Sequence, residues 1–256
     1  PGVGLHYQAL PWLGFLAGVH QGFSPASPGQ PEEVQAEKSI NYELGTRLGT
    51  DANELELIGF VNDYRNLTGQ CRFAAGCTEA QLDRQFNGGA VLVSGLEAAA
   101  RGQTRGPWGL RLAADLSYTL TRTEFLTTFS SQNPKFGQVQ AGDALPYVPM
   151  HQGALYGVVE RDAWRLDLGL IYRGAMRDVA GQGEIPEREK IPSYWTVDAT
   201  TSVEVLAGAR LYARASNAID QVYMVSRRPF GARPGLPFQF MGGLKYTVPA
   251  ERGGRP

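Results

Sequence analysis

The sequence predicts an all-β protein: an antiparallel, up-and-down transmembrane β-barrel of about ten strands. Three observations carry this. First, Trp108, Leu110, Leu112, Ala114, Leu116, Tyr118 and Leu120 alternate without a break against Gly109, Arg111, Ala113, Asp115, Ser117 and Thr119. Side chains of a strand point to opposite faces in turn, so the stretch reads as one long strand with an apolar and a polar face. Second, the pattern recurs along the chain with no helix period between repeats. Third, the connections between repeats alternate strictly between short and long. Membrane barrels have short turns at one rim and long loops at the other, and their strands alternate apolar-out, polar-in.

Composition agrees. The chain has 256 residues, a net charge of −1 and 43% hydrophobic residues. A charge so near zero provides no basic field for nucleic acid. There is no run of about eighteen apolar residues that would make a spanning helix. Alternation hides the apolar half of each strand from such a search, so the negative mean hydropathy of −0.25 is compatible with a barrel. Thirty-two glycines suit turns and tightly curved sheet.

Taken in order, the strands are read at Trp12–Gln21, Glu37–Thr50, Glu54–Leu67, Gly88–Arg101, Trp108–Glu124, Pro146–Arg161, Trp164–Asp178, Tyr194–Leu206, Ala209–Asp220 and Phe238–Val248. Several alternate cleanly: Ile40, Tyr42, Leu44, Thr46 and Leu48 oppose Ser39, Asn41, Glu43, Gly45 and Arg47. The third is untidy around Ile58-Gly59-Phe60, which reads as a β-bulge. Short links fall at Asp51-Ala52-Asn53, near Gly102–Pro107, at Asp162-Ala163 and at Ala207-Gly208. Long ones fall at Gly22–Ala36, Thr68–Asn87, Phe125–Leu145, Val179–Ser193 and Gln221–Pro237. Trp108, Trp164, Tyr194, Trp195, Tyr223, Phe238 and Tyr246 lie near strand ends, where interfacial aromatic girdles would put them.

Particular segments carry a resemblance. Gly18-Val19-His20-Gln21-Gly22-Phe23-Ser24-Pro25, followed by Glu37-Lys38-Ser39-Ile40-Asn41-Tyr42-Glu43-Leu44-Gly45-Thr46-Arg47, resembles a stretch of TonB-dependent outer-membrane receptors. Val93-Ser94-Gly95-Leu96-Glu97 resembles their recurrent V-x-G-x-E strand. Ser216–Asp220, Tyr223, Pro234–Pro237 and Gly243–Thr247 are similar to their last two strands. Within the family, Tyr223–Pro229 with Gly231–Gly235 is similar to the ferric citrate (iron dicitrate) receptors. The resemblance implies a barrel of twenty-two strands, the plugged class of outer-membrane transporters. Residues 1–256 would be the C-terminal part of it, ending in a polar tail at 249–256. The plug, the TonB box and the first half of the barrel have no counterpart in this sequence, and Tyr246-Thr247-Val248 is followed by that tail rather than ending on an aromatic.

The implied function is TonB-energised uptake of a ferric chelate, most closely ferric citrate, by a multi-pass barrel of the cell outer membrane. The implied partners are the chelate, the TonB complex, and outer-membrane lipid and lipopolysaccharide. No cofactor, metal site, nucleic acid or catalytic residue is expected. By order, the loops at Phe23–Ala36 and Thr68–Asn87 correspond to the seventh and eighth loops, which in ferric citrate receptors are thought to close over the ligand.

Cys71 and Cys77 are the two cysteines and share one long loop. In an exported protein an isolated pair reads as a disulfide, and a metal site would need further ligands where no His is near. Arg227, Arg228 and Arg233 form a basic group in the last long loop, and guanidinium groups suit the carboxylates of an anionic chelate. Gln70, Arg72 and Arg84 are weaker candidates in the loop expected to close; the bland alternative for the arginines is a solvated loop or contacts to lipopolysaccharide. His6, His20 and His151 are scattered, and an exposed axial ligand for haem competes with a simple rim or lumen role. Arg111, Asp115, Arg165, Asp167, Arg173, Asp198 and Glu204 fall on the polar face and are expected to pair across strands. Readings from other classes are other siderophore or haem receptors, a passive pore, or a small-barrel enzyme; the last needs a cluster of acid, base and nucleophile at one rim.

Overall fold

The computed structural model describes residues 1–50 and 52–248. Eleven antiparallel strands form one sheet in chain order. They are β1 (Gly2–Leu10), β2 (Leu13–Ser24), β3 (Glu37–Thr50), β4 (Asn53–Arg65), β5 (Val91–Arg105), β6 (Arg111–Phe125), β7 (His151–Arg161), β8 (Trp164–Arg173), β9 (Tyr194–Leu206), β10 (Ala209–Ser216) and β11 (Gln239–Tyr246). Each pairs with its sequence neighbours, and β1 and β11 pair on one side only, so the sheet is open at both edges. The polar tail expected at 249–256 lies outside the described residues, as does Asp51 of the link read at Asp51-Ala52-Asn53.

Several details differ from the sequence reading. The strands read at Pro146–Arg161, Trp164–Asp178 and Ala209–Asp220 run only over His151–Arg161, Trp164–Arg173 and Ala209–Ser216, which leaves residues 146–150, 174–178 and 217–220 to the long loops. The strand count rises by one, because Gly2–Leu10 pairs with β2 through Val3↔Val19, Leu5↔Ala17 and Tyr7↔Phe15. The alternation read from Trp108 runs through a turn: Trp108 and Gly109 both have positive φ in a tight 3-10 turn, and the strand begins at Arg111. The expected bulge at Ile58-Gly59-Phe60 is absent; register is continuous on both sides of β4. There the polar face carries two large apolar groups, each opposite a glycine, Ile58 facing Gly45 and Phe60 facing Gly95. A Cβ on Gly45 would lie 2.7 Å from the Leu57 carbonyl oxygen, and one on Gly95 would overlap the Leu120 carbonyl oxygen and the Phe60 ring. The untidiness is thus a packing solution rather than a register shift.

The uninterrupted register gives the sheet two chemically distinct faces. One row runs through Leu116, Leu155, Leu170 and Val197, and parallel rows place Leu44, Leu96, Leu168, Leu211 and Leu244 on the same side. Many of these side chains are exposed, Leu44 at 70% and Leu244 at 63%. An apolar surface this continuous needs an apolar surrounding. Aromatics sit toward both of its ends. Tyr172 packs against Trp195 with centroids 4.3 Å apart and the rings tilted by 35°, in one row with Tyr118, while Trp164 and Tyr246 lie at the other end. Tyr172 and Trp164 are eight positions apart on β8, roughly 26 Å at about 3.3 Å per residue, which suits a hydrocarbon band crossed by tilted strands. Tyr194 falls on the opposite face and stacks on Tyr223 of the last long loop, outside such a girdle.

The other face carries the cross-strand ion pairs. Arg47 bridges Glu54 and Glu56, Arg101 meets Glu54 at 3.3 Å, and Glu160 lies between Arg111 and Arg165, which also holds Asp167. Arg214 meets Asp198 at 3.5 Å and Arg210 meets Glu204 at 3.4 Å, while Arg173 bonds Gln152. Asp115, also on this face, makes no ion pair within 4 Å among the described residues.

The short links are all at one end of the strands and the long ones, residues 25–36, 66–90, 126–150, 174–193 and 217–238, all at the other. Buried packing is concentrated at that second end, where Val91, Phe125 and Val139 are closed over by Leu67, Phe129, Phe136 and Leu145.

Two expectations follow. Leu155→Arg, central on the apolar face, should destabilise the full-length protein by about 2–4 kcal/mol in a bilayer, whereas Ala154→Arg on the polar face should cost far less. Denaturant unfolding in lipid vesicles measures both, and equal losses would contradict the two-faced assignment. Gly95→Ala should sharply lower the yield of folded protein, because its Cβ would meet backbone; wild-type yield would show that the sheet can shift there.

Candidate functional site

The long loops meet one another, and their contacts place the disulfide and several of the candidate arginines. Residues 25–36 and 66–90 are tied by polar contacts: Ser27 N donates to Gln85 Oε1 at 2.8 Å, Gln30 Nε2 to the Asp83 carbonyl at 3.0 Å, and Gln35 N to Asn87 Oδ1 at 2.7 Å. In the second of these loops Thr68–Gln70 pairs with Gln85–Asn87 as a small hairpin. At its tip Cys71 and Cys77 are joined by a disulfide with Cα atoms 5.8 Å apart, and both cysteines are buried with Ala75. Gly76, beside the bridge, takes a positive φ that closes the 3-10 turn Phe73–Ala75.

That tip reaches the other loops. Gln81 Nε2 donates to Gln132 Oε1 at 2.8 Å, and Phe73 meets Phe230 edge-on with centroids 5.4 Å apart. The second contact joins the disulfide loop to the loop that carries the three arginines.

The candidate ligands have different surroundings. Arg228 forms an ion pair with Asp178 at 3.0 Å, with both side chains largely buried. Asp178 also accepts a hydrogen bond from the Tyr147 hydroxyl, which lies 3.0 Å from Ser226 Oγ. Lys135 Nζ sits 4.4 Å above the Tyr147 ring. Arg227 donates through Nε to the Lys190 carbonyl at 2.9 Å and through Nη2 to the Glu187 carbonyl at 3.0 Å. Arg227 and Arg228 therefore clasp residues 126–150, 174–193 and 217–238 together. Burial and the nearby Arg228 pull the Lys135 ammonium below the ordinary lysine range, partly offset by Asp178. Burial and the bond to Asp178 push the Tyr147 phenol up, so it stays a donor at neutral pH.

Arg72 donates to Gln70 Oε1 at 3.0 and 3.1 Å, which brings those two candidates together. Arg84 and Arg233 are exposed. Arg233 lies on the rim of a cavity of about 400 Å³ with Pro192, Ser193, Tyr223 and Met224. Sequence reading missed Lys135, Tyr147, Asp178 and Ser226, since nothing in their local sequence marks them as partners; three loops supply them.

The histidines stay apart. His151 Nδ1 is 2.8 Å from the Tyr118 hydroxyl on the apolar side, and His6 and His20 belong to the polar side of β1 and β2, lying over Gly14 and Gly18. Among the described residues no group of three or more His, Cys, Asp or Glu is placed to hold a metal.

Comparison with known proteins bears on this arrangement. The ferric-catecholate import receptor Fiu of K12 E. coli, in its closed form, superposes with a TM-score of 0.70 at 18% identity, over 96% of this chain and 34% of that one. The ferric yersiniabactin uptake receptor FyuA of Yersinia pestis gives 0.70 at 19% identity, over 96% and 36%. The siderophore receptor PiuA of Acinetobacter baumannii gives 0.72 at 15% identity, over 96% and 35%. The chain thus spans about a third of the length of these solved proteins, and at such identities the likeness is one of fold. No curated protein matches it. The model of the TonB dependent receptor-like β-barrel family matches residues 1–218, and with most of the chain so covered, the protein belongs to that family.

Proposed function

We propose that this chain is the C-terminal part of a receptor barrel in a bacterial outer membrane, and that the whole protein takes up an anionic ferric chelate with energy drawn from TonB. The observation that carries the proposal is the convergence of all the long loops at one rim of a two-faced, open sheet. An open edge in lipid leaves backbone groups unpaired, which is costly, so β1 and β11 call for further strands. The shares of the solved relatives that this chain spans agree with such a complement.

Ferric citrate is the favoured chelate, supported by the likeness of Tyr223–Pro229 and Gly231–Gly235 to receptors for that ligand. The solved relatives are named for ferric catecholate, ferric yersiniabactin and a siderophore, so another siderophore or haem is the second reading. Arg233, Arg84, Arg72 and Gln70 are the side chains proposed to meet the anion. Arg227 and Arg228 are proposed to act mainly by holding the loops, because their guanidinium groups already bond to neighbouring loops. The disulfide is proposed to hold the loop tip against Phe230.

Binding of ferric citrate to the full-length receptor tests both parts. Replacing Arg72, Arg84 and Arg233 together by Ala should lower affinity at least about tenfold, since a desolvated charged hydrogen bond contributes about 1.5–3 kcal/mol and each 1.4 kcal/mol is a decade. A general field effect would instead be small and fade with added salt. Unchanged affinity at low and high salt would exclude these arginines, and binding of a different chelate alone would overturn the citrate assignment.

Asp178→Ala should leave Arg228 buried without its counter-charge and cost about 3 kcal/mol, within the range for breaking buried pairs. Limited proteolysis should then cut residues 126–150, 174–193 and 217–238 faster than in wild type, while Arg233→Ala leaves the cleavage rate unchanged. Equal cleavage of wild type and Asp178→Ala would remove the clasp from the account.

A further inference from the structure

The register places two like charges side by side where the apolar face meets the long-loop end. Lys38 of β3 lies directly opposite Arg65 of β4, and Phe23 of β2 lies directly opposite Lys38 on its other side. All three share the face of Tyr42, Leu44 and Val61, and all three are exposed. Like charges directly opposite one another in an antiparallel pair repel. Neither is neutralised: among the described residues, Lys38 and Arg65 make no ion pair within 4 Å, although twelve such contacts are formed elsewhere.

The acids of that face do not relieve the pair. Asp63 lies two positions below Arg65, opposite Ile40 and Leu92, and Glu124 lies opposite Leu92. Arg122, opposite Ser94, adds a third cation lower on the same face. On the polar face, by contrast, Glu160 lies between Arg111 and Arg165 and bonds both. Lys38 and Arg65 have no acid placed between them in this way.

We propose that Lys38 and Arg65 form a binding site for the phosphate group of a membrane lipid headgroup. This rests on the reading of the apolar face as lipid-facing. Strand ends at the edge of an apolar band stand at headgroup depth, where anionic lipid attracts basic side chains. A phosphate offers several acceptor oxygens, enough for the Arg65 guanidinium and the Lys38 ammonium at once, and its charge turns the repulsion between them into a bridge. Phe23, 67% exposed beside Lys38, provides the apolar contact for the first methylenes of the same lipid. The arrangement lies on the opposite side of the sheet wall from the polar face and uses none of the loop arginines.

The test uses the full-length gene product extracted from its own membrane in mild detergent, with bound lipid read by native mass spectrometry and phosphorus content. Wild type should retain a phosphorylated lipid, and the Lys38→Gln/Arg65→Gln double variant should retain at most about a tenth as much. Arg188→Gln, on an exposed loop, is the control and should retain the wild-type amount. The amides keep the side chains polar and similar in length, and heat-modifiable migration on gels verifies that the variant has folded. Excess inorganic phosphate should not displace the lipid, because its acyl chains remain on the apolar face; displacement would make the pair a free-phosphate site and overturn the lipid assignment. Equal lipid retention by wild type and a folded double variant would also overturn it. Failure of the parent reading is distinguishable, because wild type would then be absent from the membrane fraction altogether.

Discussion

Everything in this chain depends on the direction of side chains along a strand holding its phase across eleven paired strands. A slip of one residue at any pairing would move leucines into the charged face and arginines into the apolar one. Among the described residues, register shifts occur only beside short turns, at Gln8/Leu10 and Glu204/Leu206, and within the small loop hairpin at Met224/Ser226; the central pairings are continuous. Glycine helps to keep that continuity. Where Ile58 and Phe60 turn large groups toward the polar side, Gly45 and Gly95 stand opposite and make room, so bulk is absorbed without a bulge.

The same constraint organises the loops. Strict up-and-down order sends every second connection to the same end, so the long segments share one rim and become one another's surroundings. Their order comes from two kinds of contact. Phe125, Phe129 and Phe136 pack edge-on at the base, above Val91 and Val139. Above them the Asp178 carboxylate holds the Tyr147 hydroxyl and the Arg228 guanidinium together. A buried ion pair of this type contributes little net stability against an apolar substitute but penalises any arrangement that separates it. It therefore suits a rim whose loops must keep one relative position, and a proposed ligand would find the remaining exposed arginines already placed.

Much of the fold was legible because barrel strands announce themselves by period two, and Glu37–Thr50 and Tyr194–Leu206 keep the same bounds in sequence and structure. The strand Gly2–Leu10 was missed although Val3, Leu5, Tyr7 and Ala9 alternate there; Gly2, Gly4, His6 and Gln8 on the other side form a weak polar partner, and Pro11 follows at once. Trp108 misled in the opposite sense, since a turn residue happened to continue the strand's parity. At the rim, residue chemistry alone identified the arginines but not their partners. Arg228 meets a carboxylate fifty positions away, and a pairing of that span leaves no periodic trace in one sequence.

The account stands most directly on the claim that one face of this sheet meets lipid and the other meets water. Single-cysteine labelling along residues 112–120 of β6, in the full-length protein and in its own membrane, measures this position by position. A membrane-embedded quencher should darken a fluorophore at Leu112, Ala114, Leu116, Tyr118 and Leu120, and a water-soluble quencher should darken it at Ala113, Asp115, Ser117 and Thr119. Quenching with no period of two, or with the two sets exchanged, would contradict the account.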